Sequence, residues 1–445
     1  MNVLLIKPPE NSRFNFGCFS LSVLAAPVRD YCDVQILDAT ERTVSQSVEE
    51  AQKFKPDLIG ITTMSWESVQ AVALLIKALR GDGFKGMILA GGHGATGLPV
   101  PILKAGADAV VLGEGEITLI DIVRNGLSET TPGIAFLKEG VVSFSTQRPL
   151  IKSLDGLALP PYDLMATHSE GSYFLETSRG CPHRCFFCEA SLFYRHTWRG
   201  KSPAAVVEDV QRLVEDRNAV IIHVVDDNFT ADPIRAYEIC RLLKGKARPL
   251  FFLFSARSDD LVRLPELIPA LAESGFLRVN VGIETTDNEL AKAIGKPVGF
   301  ETHKRALAMM QEEGIFNLAS FIVGLPGETQ EMRDSYFEKA LELAADSVQF
   351  LPYIPLPKTA LDESYKGPED WSRTEADEMT RRYRTHPDVN SRLLSGAREK
   401  SVRGALIRGL LKQRQQLEGL DESVKTRISK TLAEINGFES SESVS

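Results

Sequence analysis

Short, uninterrupted apolar runs alternate with amphipathic stretches along the first part of the chain. The runs are Val3–Lys7, Val34–Leu37, Leu58–Thr63, Met87–Gly91 and Ala109–Leu112, and the stretches between and after them are Leu21–Tyr31, Val44–Phe54, Ser68–Leu79, Val100–Ala105 and Ile117–Arg124. Apolar strands without polar alternation are those buried on both faces of a parallel sheet. The rhythm therefore predicts a doubly wound, parallel α/β domain. The pattern changes at Gly133–Leu150, where Ile134–Lys138 and Val141–Ser145 flank Glu139 and Gly140 and read as a hairpin. Pro160 and Pro161 then break the segment Ser153–Asp163, which marks a linker.

The alternation resumes with Tyr173–Thr177, Val220–Val225, Leu250–Ser255, Leu277–Ile283, Leu318–Val323 and Ser347–Tyr353 as strands. Ala204–Glu215, Pro233–Leu243, Pro265–Glu273 and His303–Glu313 are among the helices between them. These units are fewer than a closed TIM barrel needs, so a partial, open (β/α)6 barrel is expected, with chemistry at the C-terminal ends of its strands. From Leu361 the chain is helical and charge-rich, with Arg381, Arg382, Arg384, Arg392, Arg398, Arg403 and Arg408 making it locally basic. A solvated helix face is the plain meaning of such a run, and an acidic or phosphorylated substrate the sharper one. Glu439–Ser445 reads as a disordered tail. The predicted organisation is an α/β domain over 1–132, hairpin and linker over 133–172, a barrel over 173–357 and a helical C-terminal region over 358–445.

Composition narrows the class. In 445 residues, Lys+Arg 51 against Asp+Glu 60 give a net charge of −9, a poor electrostatic footprint for a dedicated nucleic-acid binder. No run approaches the ~18 apolar residues of a membrane span. Met1–Lys7 lacks the basic region and cleavage site of a signal peptide and reads as a first strand. Six cysteines are too few for a disulfide framework in a chain of this length, and a reducing cytoplasm is the expected compartment.

Three of those cysteines, Cys181, Cys185 and Cys188, follow the first barrel strand in the spacing Cys-x3-Cys-x2-Cys. Three thiolates on one tight loop can hold three irons of a cubane cluster and leave the fourth open. Gly180 permits close approach of the backbone. A structural zinc is the competing reading, with His183 or His196 as a fourth ligand, but zinc modules usually bring two separated pairs.

The cysteine loop, placed after the first strand of a partial barrel, resembles that of the radical S-adenosylmethionine (SAM) superfamily. The resemblance covers about Tyr173–Pro357. It implies a [4Fe-4S] cluster whose open iron takes the amine and carboxylate of SAM, and cleavage of SAM to a 5′-deoxyadenosyl radical. Phe187 fits the aromatic position whose backbone meets the adenine. The usual Gly-Gly-Glu at the second strand end is replaced by Asp226 and Asp227, one of which is expected to meet the SAM amine. Ser255 and Arg257 resemble residues at the SAM carboxylate, Glu284 one near the ribose, and Gly324 in Gly324–Thr329 one near the adenine.

The first domain offers a second likeness. Lys7-Pro8-Pro9 follows the first strand, Gly91-Gly92-His93-Gly94 the fourth, and Gly113-Glu114-Gly115 the fifth. Glycines after parallel strands let a bulky ligand approach a sheet edge. No Gly-x-Gly-x-x-Gly follows the first strand, which argues against a dinucleotide fold. These motifs are similar to those of the cobalamin-binding domain fused to one radical SAM branch. The Asp-x-His-x-x-Gly of other cobalamin proteins is absent, so no histidine of that motif ligates cobalt. The loop Thr62–Trp66, with Thr63, Ser65 and Trp66, is expected to cover the lower face, although a tryptophan there also fits plain packing. His93 reads as a turn residue, with cobalt ligation as its alternative.

Together the resemblances imply a cobalamin-dependent radical SAM enzyme methylating an unactivated carbon of a small molecule. An electron donor such as flavodoxin or ferredoxin is implied, with no nucleic-acid partner and no membrane span. A cyclase or rearrangement enzyme with the same cofactors is the first alternative. A methylthiotransferase would need three further N-terminal cysteines, where this chain has only Cys18 and Cys32. The alternative of another class is a non-catalytic cobalamin- or zinc-binding module.

Overall fold

The computed structural model describes residues 1–9, 17–65, 68–165, 171–244, 250–354, 373–384 and 386–389. The chain divides into two compact units, the first comprising Met1–His168 with Leu192–Arg195, the second built on Ser169–Ser191 and His196–Pro355. Trp66, Arg392, Arg398, Arg403, Arg408 and the tail Glu439–Ser445 lie outside the described residues.

The first unit is built on a seven-stranded sheet in the order β2-β1-β3-β4-β5-β6-β7. Its strands are β1 (Asn2–Lys7), β2 (Asp33–Asp38), β3 (Leu58–Thr62), β4 (Met87–Gly91), β5 (Ala109–Val111), β6 (Ile134–Lys138) and β7 (Val141–Phe144). The first five pair in parallel, as the apolar runs require, and two clusters of buried aliphatics fill the two faces. The hairpin forms as expected and belongs to the first sheet. β6 pairs antiparallel with β5, so it extends the sheet and makes it mixed. Its outer strand is half-polar, and exposed Val141 and Phe144 mark the sheet's edge. The order of the parallel strands reverses between β1 and β3, the kind of point where ligands lodge in doubly wound sheets.

The second unit is built on a six-stranded sheet in the order β15-β14-β13-β12-β11-β8, parallel throughout. Its strands are β8 (Ser172–Leu175), β11 (Ile221–Val224), β12 (Phe251–Ala256), β13 (Phe276–Glu284), β14 (Phe316–Val323) and β15 (Ser347–Pro352), a partial barrel. The two-residue strands β9 (Ser178–Arg179) and β10 (Arg199–Gly200) form an antiparallel ribbon at the root of the cysteine loop. Burial alternates along β12 and β13. Val279, Val281 and Ile283 are buried on the face that meets the helices Leu267–Glu273 and Phe300–Glu312, and Arg278, Asn280 and Gly282 between them are half-buried on the other. A helix at Arg373–Arg384 packs on β15, anchored by buried Tyr383, whose hydroxyl donates to the carbonyls of Ala340 and Ala345. Arg381 pairs with Glu378 on its exposed face, and Arg382 lies over the Phe337 ring. No helix among the described residues is long and apolar enough to cross a membrane.

Candidate functional site

The cysteine loop leaves β8 and is fastened at its root by Asp226. That carboxylate is buried and accepts from the Thr177 amide at 2.7 Å, the Thr177 hydroxyl at 2.5 Å and the Ser178 hydroxyl at 2.6 Å. Desolvation pushes its pKa upward, and these three donors with nearby Arg235 oppose that shift. Asp227, the next residue, accepts only the Gly180 amide, at 3.1 Å, among the described hydrogen bonds. Water reaches Asp227, yet the surrounding protein and the Asp226 carboxylate push its carboxyl up to about 6. Of the two aspartates expected to compete for one role, one is spent on the loop and the other keeps an open oxygen.

The loop itself turns at Gly180, with φ of +80°, a region that suits glycine. Cys181, Cys185 and Cys188 are free and half-buried. Burial holds all three thiols above their ordinary range, Cys181 up to about 11. Iron binds the thiolate, so metal ligation would reverse that penalty. Arg257 points a guanidinium nitrogen at the Cys185 sulfur from 3.6 Å while Asp259 holds its other edge at 3.0 and 2.9 Å. Among the described residues no three His, Cys, Asp or Glu side chains converge on one ion. A cubane takes each thiolate on a different iron, so its ligands need not converge. The donor set thus fits a cluster with an open corner.

The far side of the loop rests on a brace that sequence reasoning missed. The Phe186 amide donates to the Ile294 carbonyl at 2.9 Å, and Gly295, at φ +75°, comes so near that a Cβ would sit 2.8 Å from the Arg184 carbonyl. The next residue, Lys296, is buried and holds the Glu284 carboxylate at 2.7 Å and the Gly282 carbonyl at 2.9 Å. Glu284 has φ of +66°, uncommon for a residue with a side chain, at an irregular register between β13 and β14. A Cβ on Gly282 would fall 2.2 Å from the Glu284 carboxylate, so glycine there makes room for the ion pair. The available signal was a lone lysine between the apolar Ile294 and Val298.

Phe187 packs with Leu290, Ile294, Leu325 and Tyr353, and Phe186 is exposed. Ser255 is half-buried on the inner face of β12. The segment Gly324–Thr329 closes largely on itself. Glu328 accepts the Gly324 amide at 2.7 Å and pairs with Arg333, and Thr329 caps the helix Gln330–Leu343.

In the first unit the candidate residues converge at the ends of β3, β4 and β5. The Gly94 amide donates to the Thr63 carbonyl at 3.1 Å. A Cβ on Gly92 would lie 2.6 Å from that carbonyl, and one on Gly94 2.2 Å from the Ser65 carbonyl. Gly113 bonds Thr96 through its amide and faces open space. Gly91 leaves ordinary room, and Gly115 approaches Leu24. The Thr63 hydroxyl is buried with no hydrogen-bond partner among the described residues, a polar atom left over inside the cradle. Backbone-on-backbone packing here suits a bulky ligand laid across the loops. Pro8 is buried just beyond β1, and Glu114 reaches away to accept the Ile151 amide at 2.7 Å. His93 is stacked on Phe193 with ring centroids 3.9 Å apart and planes 7° from parallel, and burial lowers its pKa to about 4. It is a neutral imidazole engaged in packing.

Comparison with known proteins gives a family match within each of the two units. Residues 175–340 match the Radical SAM superfamily model, and residues 15–123 match the B12 binding domain model. The chain is 32% identical over 384 residues to an uncharacterized methyltransferase of Pyrococcus horikoshii, covering 82% of this chain and 83% of that one. It is 25% identical to an anaerobic magnesium-protoporphyrin IX monomethyl ester cyclase of Rubrivivax gelatinosus, covering 74% of this chain and 62% of the cyclase. The radical SAM methyltransferase TsrM of Kitasatospora setae, solved with cobalamin and a [4Fe-4S] cluster, shares the fold with a TM-score of 0.66 at 20% identity, covering 79% of this chain and 72% of that one.

Proposed function

This chain belongs to the cobalamin-binding branch of the radical SAM superfamily, and from that premise we propose that it methylates an unactivated carbon of a small molecule. The observation that carries the reading is the presence of both cofactor domains on a chain related to a methyltransferase over most of its length. When bound, SAM on the [4Fe-4S] cluster supplies a hydrogen-abstracting radical and cobalamin supplies the transferable methyl group.

The chain's own residues hold and orient. Cys181, Cys185 and Cys188 ligate the cluster. Asp226 fixes the root of their loop, which leaves Asp227 as the carboxylate for the SAM amine. Arg257, steadied by Asp259, offers its guanidinium beside Cys185 to the SAM carboxylate, with Ser255 near it. Glu284, held by Lys296, meets the ribose, and the backbones of Phe187 and Gly324 flank the adenine. In the first unit Thr63, Ser65, Gly91, Gly92, Gly94, Gly113 and Gly115 line the cobalamin cradle, with Pro8 at its margin. Glu114 supports the loop from outside, and His93 braces the glycine loop through its stack on Phe193 rather than ligating cobalt. A flavodoxin- or ferredoxin-type protein supplies electrons in a reducing cytoplasm.

Cyclisation with the same cofactors is the second reading, favoured by the relationship to the ester cyclases. Turnover with deuteromethyl SAM separates the two. Methylation gives equal S-adenosylhomocysteine and 5′-deoxyadenosine and a labelled product. Product without label, formed without S-adenosylhomocysteine, would place the chain with the cyclases.

A further inference from the structure

Strand register sets a row of uncharged polar side chains across the inner face of the partial barrel. Ser255 on β12 lies opposite Asn280 on β13, and Ser320 on β14 lies opposite Gln349 on β15. Three of them are wired together. The Ser320 hydroxyl donates to Asn280 Oδ1 at 2.7 Å, and Gln349 Nε2 donates to the Ser320 oxygen at 2.6 Å. Ser320 is buried, whereas Asn280 and Gln349 are half-exposed on the face away from the helices.

The donor count of this relay has a fixed consequence. A serine hydroxyl donates one proton and can accept at the same time. Here it donates to the Asn280 oxygen and accepts from the Gln349 nitrogen. Asn280 Nδ2 then remains as a donor and Gln349 Oε1 as an acceptor, and neither has another hydrogen bond among the described residues. If both amides are flipped, the roles exchange but one donor and one acceptor remain. In both of these assignments the face presents a complementary donor–acceptor pair.

The charged groups flanking this layer are already engaged. Towards the C-terminal strand ends, Arg257 is paired with Asp259 and Glu284 with Lys296. Towards the N-terminal ends, Arg278 lies over the Phe316 ring at 5.8 Å. Leu253, Leu318 and Leu351 add apolar surface around the row.

We propose that Asn280, Ser320 and Gln349 form a substrate-recognition relay, and that the substrate is a neutral polar molecule bearing an amide-like donor–acceptor pair. A hydrocarbon lipid would leave the two amides unpaired, at a cost of ~1–3 kcal/mol for each group closed off from water. Among the described residues Arg257 is held by Asp259 and Arg278 lies over the Phe316 ring, so a carboxylate would have to compete for these cations. This assignment deepens the proposed function and rests on the barrel being the radical site.

Saturation-transfer NMR on the purified full-length protein tests it with three probes, N-acetylglycinamide, cyclohexanol and hexanoate. The amide should bind in preference to the other two. Ser320→Ala, which cuts the relay, should weaken amide binding about fivefold, as loss of one net hydrogen bond implies. Ser320→Thr, which keeps the hydroxyl, should restore it. SAM affinity of the reconstituted enzyme, measured by equilibrium dialysis, should be the same in all three proteins. Equal amide binding by Ser320→Ala, preference for cyclohexanol or hexanoate, or a parallel loss of SAM affinity would overturn the proposal. Failure of the underlying enzymatic reading is distinct, because it shows as no SAM cleavage by the wild-type protein.

Discussion

At the strand ends of the first sheet the chain brings backbone against backbone, and at those of the second it brings charge against charge. Gly92 and Gly94 lie so close to the Thr63–Ser65 loop that one added carbon would collide with a carbonyl. In the second unit Asp226, Arg257–Asp259 and Glu284–Lys296 are fixed by hydrogen bonds and ion pairs around three thiols. A large macrocycle with its tail needs loops of fixed shape, which glycines packed against a neighbouring loop's backbone provide. A zwitterionic nucleoside on an iron cluster needs oriented charge, which only side chains provide. Steric substitutions should therefore damage the first site and charge substitutions the second.

The largest effect should follow removal of the thiols. Substituting Cys181, Cys185 and Cys188 together by Ala should abolish about four irons per chain and all SAM cleavage, because the cluster rests on thiolate ligation. Iron assay and product chromatography check this, and Cys18, Cys32 and Cys240 should each be dispensable in the same assays.

Next is Lys296→Met. It strands Glu284 as an uncompensated charge, which typically costs ~3–5 kcal/mol when the pair is buried. Denaturant unfolding should show a loss of that order. The double variant Lys296→Met with Glu284→Gln should recover much of the stability but not the SAM affinity.

The adjacent aspartates should part company. Asp227→Asn should weaken SAM binding ~10-fold or more, the scale of one hydrogen bond to a charged group, with iron content unchanged. Asp226→Asn should instead lower the iron retained after reconstitution, since Asp226 bonds the loop root. Reversed outcomes would exchange their roles.

The smallest effect compares one desolvated histidine from each unit. Burial lowers His93 to about 4, and burial with nearby Lys296 lowers His303, bonded to Ser258, to about 3. Unfolded histidine titrates near ~6.5, so the unfolded state binds more protons below that pH. Their contribution is complete above ~6.5 and is lost as pH falls towards 4. Melting temperatures across this range should decline less steeply in His93→Gln and His303→Gln.

Much of the architecture was legible because parallel strands buried on both faces leave continuous apolar runs. Every barrel strand also fell within a residue or two of its predicted position, although its inner face is only partly buried. The hairpin at Ile134–Phe144 was legible as a hairpin but not as part of the first sheet, because pairing of β5 with β6 is a long-range choice that local pattern does not encode. The ribbon β9–β10 was missed, since two residues per strand carry no periodicity. The cysteine spacing pointed to the cluster directly. The split between Asp226 and Asp227 could not be read from adjacent identical residues, and it emerged only from which oxygen meets Thr177 and Ser178. Lys296 was invisible because its partner, Glu284, is twelve residues away and joined to it only by the fold.

The most direct test of the contrast is iron and cobalamin content measured on the same preparations of three proteins. Wild type should carry both cofactors. Gly94→Ala places a carbon 2.2 Å from the Ser65 carbonyl, so it should lose cobalamin and keep its iron. The triple cysteine variant should keep cobalamin and lose iron. Undiminished cobalamin in Gly94→Ala, or joint loss of both cofactors in either variant, would contradict the account.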